Sequence, residues 1–281
     1  MMKITLFGLF GSLMIYLFAT APEALPDQTA ATAGRCNFEV TALFDGVNAI
    51  NDAARSIYTK RIVGGGKEAG LKFGEDWQEP GVEKGPLPAL FLRLTAARLE
   101  TKPPQLGLYL GSDAPINKSN MFTEEQLVGF ATVEADRAPV FSVSGQGRAI
   151  GMYPDVAGVA PCVDCHNDHE DSPKTDWKIG DVMGATTWTY PADAVSADDY
   201  FATLEAMFDS VEEAYQQYLD KTLGFAEPVT QAQEWPGAGL RILPEKAAFM
   251  AKVRAQAAPA LLNAFLPHRP EKSEEMSPCV F

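Results

Sequence analysis

Cys162-Val163-Asp164-Cys165-His166 sets two thiols two residues apart and follows them at once with an imidazole. Each residue type has its own chemistry. Thiols at this spacing match the separation of the two vinyl groups of a haem, across which they add, and the histidine that follows falls under the iron as proximal ligand. The run therefore predicts one covalently attached haem c held by Cys162, Cys165 and His166. Its rivals are an ordinary disulfide, a zinc site and a redox pair. A four-thiolate zinc site needs a second C-x-x-C, and the chain has none. A thioredoxin-like pair sits at a strand-to-helix turn inside a βαβ unit, whereas the flanks here are Val159-Ala160-Pro161 and Asn167-Asp168-His169.

The second axial position has few claimants. Of the 3 histidines, His169 lies too near His166 to swing to the opposite face of a haem, and His268 stands in a Pro-flanked tail. Met152 and Met183 are the nearest methionines, and each is read first as packing. The chain has 4 cysteines, so Cys36 and Cys279 remain once the haem has taken two. In an oxidising compartment these two would pair as a disulfide. Alternatively, Cys36, at the start of a long helix whose dipole favours a thiolate, ligates the iron. Composition leaves the two open. Lys174, Lys178 and Arg148 are candidate partners for haem propionates, and Trp177 and Tyr153 candidates to pack on the ring.

These side chains must be positioned by the surrounding elements. Apolar residues at Val40, Leu43, Phe44, Val47, Ile50, Ala54, Ile57 and Tyr58 recur at helical spacing and predict a helix over 38–62, ended by Gly64-Gly65-Gly66. Pro86-Leu87-Pro88 opens a second helix over 89–99, and 105–110 has strand character. Thr123 with Gln126 forms a capping box at the head of a short helix. Residues 139–144 and 148–153 alternate around Gly145-Gln146-Gly147 as a β-hairpin, and the haem motif is expected in the loop after it. A strand over 182–190 follows. Ser196 then caps a long helix with a stripe of Tyr200, Leu204, Met207, Phe208, Val211, Tyr215 and Tyr218. Pro244 opens a last helix, in which Pro259 should cause a bend or break. Helices, then short strands around a loop-borne site, then helices, make an α+β fold with an antiparallel sheet.

Covalent haem of this kind is attached outside the cytoplasm. Lys3 and the apolar run 4–18 suit a secretory signal peptide, with Ala19-Thr20-Ala21 and Ala31-Thr32-Ala33 as small-x-small cleavage sites, or else an N-terminal anchor. The mature chain is expected to be periplasmic. The full sequence's formal net charge of −14 excludes nucleic acid and anionic lipid as partners, because no basic run is available to neutralise phosphates. With 46% apolar residues in 281, a large core can form. The expected organisation is an export segment 1–33, a haem domain 34–193, a helical extension 194–266 and a flexible tail 267–281.

Three stretches together resemble the PAS-like c-type haem domain family of cyanobacterial stand-alone proteins and periplasmic sensor domains: Cys162 to Asn167, the later Asp176-Trp177-Lys178-Ile179-Gly180-Asp181-Val182-Met183-Gly184-Ala185, and Gly85-Pro86-Leu87-Pro88-Ala89-Leu90-Phe91. Residues 116–122 match the family's Arg-Asn-Pro-rich segment only loosely. The resemblance, over roughly residues 36–190, implies a PAS-like sheet with flanking helices. It also implies that a cysteine of the N-terminal region, here Cys36, is the second axial ligand. The function that follows is a redox or small-ligand haem sensor for a ligand such as nitric oxide or carbon monoxide, passing its signal to a partner protein. The alternative is a soluble electron carrier whose acidic surface docks a redox partner. An enzyme is not expected, because peroxidase chemistry needs a distal acid–base group and no spare histidine is placed to supply one.

Overall fold

The computed structural model describes residues 37–265. In chain order they form β1 (Asn37–Glu39), α1 (Val40–Ile57), a π-helical stretch (Tyr58–Gly64) running into α2 (Gly65–Glu68), β2 (Phe73–Gly74), β3 (Gly85–Pro86), α3 (Pro88–Leu99), β4 (Gly107–Gly111), α4 (Glu124–Asp136), β5 (Val140–Val143), β6 (Ala149–Val156), α5 (Ala160–Asp168), β7 (Val182–Tyr190), β8 (Ala194–Ser196), α6 (Ala197–Thr222), β9 (Thr230–Ala232), β10 (Ile242–Pro244) and α7 (Lys246–Phe265).

The apolar repeat of α1 buries Leu43, Phe44, Val47, Ile50, Ala54 and Ile57, as its spacing requires. Its start differs from expectation: Asn37–Glu39 is a strand paired antiparallel with β8. So does its end. The glycine triplet does not stop the helix, which passes through it as far as Glu68. A side chain at Gly65 would overlap the Pro236 carbonyl, and one at Gly66 would come within 2.9 Å of the Phe73 ring. These glycines permit close approach and are not a terminator.

The main sheet runs β4-β7-β6-β5, every pair antiparallel. The fold is thus α+β with an antiparallel sheet. Alternation along β6 points Gly151, Tyr153 and Asp155 to one face and Met152 to the other. α1 covers the first face: a Cβ at Gly151 would lie 2.7 Å from the Phe44 ring, so helix and sheet meet there without a spacer. α4 covers the second face, where Met152 is buried with Phe122, Phe130, Val133, Val182 and Ala185. The Thr123 capping box forms as expected, and the hairpin closes at Ser144–Arg148.

α6 and α7 pack on the other side of α1. Met207, Val211, Tyr215, Phe249 and Val253 join one buried cluster with Leu43, Val47 and Ile50. Tyr215 stacks on Phe249 with centroids 4.0 Å apart, and its hydroxyl donates to the Pro244 carbonyl at 2.8 Å. The described part of segment 194–266, expected as an extension, therefore shares the main core, and β1–β8 pairing ties its start to the first described residues. α7 runs unbroken through Pro259. Among the described residues no helix is long and apolar enough to cross a membrane. The export segment 1–33 and the tail 267–281 lie outside the described residues.

Candidate functional site

The thiol–imidazole run lies on a helix, not in the expected loop. α5 interrupts the passage from β6 to β7, with Pro161 in its first turn, where a missing N–H costs nothing. The insert is closed at its base: the Ala157 amide donates to the Asp181 carbonyl at 2.9 Å, and the Gly180 amide to the Ala157 carbonyl at 2.9 Å. The Arg137 guanidinium also donates to the Gly180 carbonyl. Helical spacing puts Cys162, Cys165 and His166 on neighbouring positions of one turn. Both thiols are free; Cys162 is half-buried and Cys165 exposed. Burial raises the Cys165 thiol, Lys67 opposes the rise, and Glu75, Cys162 and Asp168 add to it.

His166 is half-buried, and its Nδ1 is buried without a hydrogen-bond partner. Burial lowers its pKa; Asp155 opposes this, while His169 and Arg55 reinforce it. The net shift favours the neutral ring, the form in which an imidazole can give a lone pair to a metal. His169, at the end of α5, accepts the Asp171 amide on its own Nδ1 at 3.2 Å.

Asn167 fixes the remainder of the insert. Its side-chain amide donates to the Trp177 carbonyl at 3.0 Å, and its oxygen accepts the Trp177 amide at 2.9 Å. Trp177 is thereby brought against α5, buried, with its indole N–H unpartnered. Lys174 lies 4.8 Å over the Trp177 ring and pairs with Asp176 at 2.5 Å, so its charge is already matched. Lys178 is exposed, in a turn where its amide donates to Asp181 Oδ2 at 2.8 Å. Arg148 stands at the hairpin turn, the opposite end of β6 from α5. Tyr153 is a core residue: its hydroxyl is spent on Asp45 Oδ1 at 2.6 Å. Met152 faces α4, away from α1, and Met183 is half-buried on β7. Cys36, Cys279 and His268 lie outside the described residues.

The sequence reading missed the polar side of α1. Asp45, Asn48, Asp52 and Arg55 recur at helical spacing, and Asp45, Asn48 and Arg55 meet the sheet in order. Asn48 accepts the Trp188 indole N–H at 3.1 Å and donates to Asp52 Oδ2 at 3.0 Å. Arg55 Nη2 pairs with Asp155 Oδ1 at 2.5 Å, and its charge acts on both Cys162 and His166. A polar row beside the apolar stripe of the same helix was the available signal, but its partner on β6 is 100 residues away in sequence.

Burial raises the Asp52 carboxyl to about 6 from its ordinary 3.8; Arg55 opposes this, Asp155 adds to it, and the Asn48 hydrogen bond opposes it. The residue itself faces solvent, so water screens part of the shift. Between the two pKa values the folded chain holds more of this proton than the unfolded chain. Stability should therefore fall as pH rises from about 4 through about 6 and stay level above. Urea titration at pH 5 and pH 7 is expected to show Asp52→Asn gaining on the unmutated chain at pH 7 and keeping only about half of that advantage at pH 5. An equal difference at the two pH values would contradict the assignment.

Among the described residues no three of His, Cys, Asp or Glu converge as a metal-ion cage. A haem brings its own equatorial nitrogens and asks the protein only for axial ligands and attachment points, a demand that the free thiols and His166 of α5 can meet. No curated protein and no solved structure matches the chain. A family model described as Tll0287-like matches residues 42–191, more than half of it.

Proposed function

The chain belongs to the Tll0287-like family of haem-binding domains, and from that premise we propose that it is an exported, periplasmic mono-haem c-type protein acting as a redox or small-ligand sensor. One observation supports attachment at α5 above others: two unbridged thiols and a half-buried imidazole share one turn of helix. Addition of the Cys162 and Cys165 S–H groups across two vinyl double bonds makes two C–S bonds and leaves each proton on the neighbouring vinyl carbon, so no oxidant is needed. His166 takes the proximal position. The bound group supplies an iron that changes oxidation state and accepts a ligand such as nitric oxide or carbon monoxide. Trp177, clamped by Asn167, walls the insert. A PAS-like sheet belongs to the same proposal, supported by its antiparallel order.

Sensing asks that a change at His166 be felt elsewhere. The Arg55–Asp155 pair joins the strand that leads into α5 to α1, the helix at the centre of the core. A second reading, electron transfer to a basic partner, is favoured by the net charge of −14. Carbon monoxide binding to the ferrous protein supports the sensor; a ferrous iron that takes no ligand supports the carrier.

Cys36 as second axial ligand belongs to the same proposal. Cys36→Ser should then abolish a low-spin thiolate signature in the ferric spectrum, and an unchanged spectrum would reject Cys36 as ligand. The proposal as a whole is tested by denaturing the exported protein and extracting it with acid–acetone. Retained haem absorbance supports it, and a colourless protein ends it.

A further inference from the structure

Resting on haem attachment at α5, we infer that once the haem is attached Asp155 becomes the positioning residue for His166, accepting a hydrogen bond from its Nδ1–H and so holding the ring with Nε2 left for the iron. Three observations meet here. His166 Nδ1 is buried and makes no hydrogen bond, and an unpaired buried donor costs roughly 1–3 kcal/mol, so an acceptor is wanted. Asp155 is the carboxylate within electrostatic reach of this ring on the strand that leads into α5, and Arg55 fixes it from the other side. The carboxylate is also half free: Oδ1 is taken by Arg55 at 2.5 Å, while Oδ2 makes no hydrogen bond among the described residues. Asp155 lies on the α1-facing side of β6, five residues before the start of α5, so the strand that leads into the helix delivers the acceptor.

Histidines that bind metals regularly donate their second ring N–H to a carboxylate, which fixes the tautomer and makes the ligating nitrogen more basic. A more basic ligand favours ferric over ferrous iron. In this arrangement Arg55 holds Asp155 in place, and Asp155 orients His166 without touching the iron.

The test uses the covalently loaded protein. Asp155→Asn should raise the reduction potential, and Asp155→Glu, which keeps the charge, should restore it. Asp52→Asn removes a neighbouring charge without an acceptor for the ring, and should move the potential less than Asp155→Asn. The His166 Nδ1 proton, followed by NMR in the diamagnetic ferrous carbon monoxide adduct, should exchange with water about tenfold faster in Asp155→Ala, the factor that corresponds to one hydrogen bond of ordinary strength. Unchanged potential in Asp155→Asn, an equal shift in Asp52→Asn, or unchanged exchange in Asp155→Ala overturns the inference while haem attachment stands. Unmutated protein that carries no haem overturns both.

Discussion

Replacing Cys162 and Cys165 together by alanine should remove every trace of tetrapyrrole that survives acid–acetone extraction, while leaving the polypeptide folded. The thiols are the only covalent link that α5 offers, and each single replacement leaves one of them in place. Cys162→Ala and Cys165→Ala should therefore each retain haem through a single thioether, with absorption shifted to the red because one vinyl group stays conjugated with the ring. The double variant keeps His166 and can hold haem only by coordination, which acid breaks by protonating the imidazole. Folding should be little affected, because Cys162 is half-buried and Cys165 exposed. Substitutions at such sites change stability by about 0.5 kcal/mol, seldom more. Haem retained after extraction of the double variant would place the attachment elsewhere, and a double variant that fails to fold in the haem-free form would mean that α5 needs its thiols for packing.

Whether α5 forms at all was the least legible point of the site. Its nine residues, Ala160–Asp168, carry too few apolar positions for a helical period to emerge, and the flanking polar run resembles a loop. The local mark that existed was Pro161, suited to the first turn of a helix. Signals confined to a few neighbouring residues were read well: the capping box of Thr123 and Gln126, the hairpin around Gly145-Gln146-Gly147, and the Ser196 cap, whose hydroxyl accepts the Asp199 amide at 3.1 Å. Signals whose meaning depends on a distant partner were misread. Gly64-Gly65-Gly66 reads as a stop, yet Gly65 and Gly66 are small because Pro236 and Phe73 lie against them. Pro259 reads as a bend or break, yet α7 is continuous through it. Arg55 carries no local mark, and only the fold sets Asp155 beside it. Residues that carry haem chemistry are close in sequence, so the motif was visible; residues that orient them are joined by the fold, so they were not.

Trp188 is where that joining should show its largest energetic effect. It is fully buried on β7, and its indole N–H is spent on Asn48 of α1 at 3.1 Å, so it ties the central strand to the central helix by packing and by a buried hydrogen bond. Trp188→Ala should lower unfolding free energy by about 3–5 kcal/mol, the range for emptying so large a buried site. That is a large share of the roughly 5–15 kcal/mol that holds a typical domain. Trp188→Phe separates the two contributions. It keeps most of the packing and removes the donor, leaving Asn48 Oδ1 without its partner at a cost of about 1–3 kcal/mol. The consequence reaches the site because Asn48 also donates to Asp52, and Asp52 lies one turn before Arg55 on the same side of α1. Loosening α1 from the sheet should free Arg55 from Asp155. Urea denaturation gives the two energies. A reduction potential in loaded Trp188→Phe that moves in the same direction as in Asp155→Asn would show that the packing of α1 on β7 governs how firmly Asp155 is held. A destabilised Trp188→Phe protein whose potential is unmoved would instead confine the effect of Trp188 to the core.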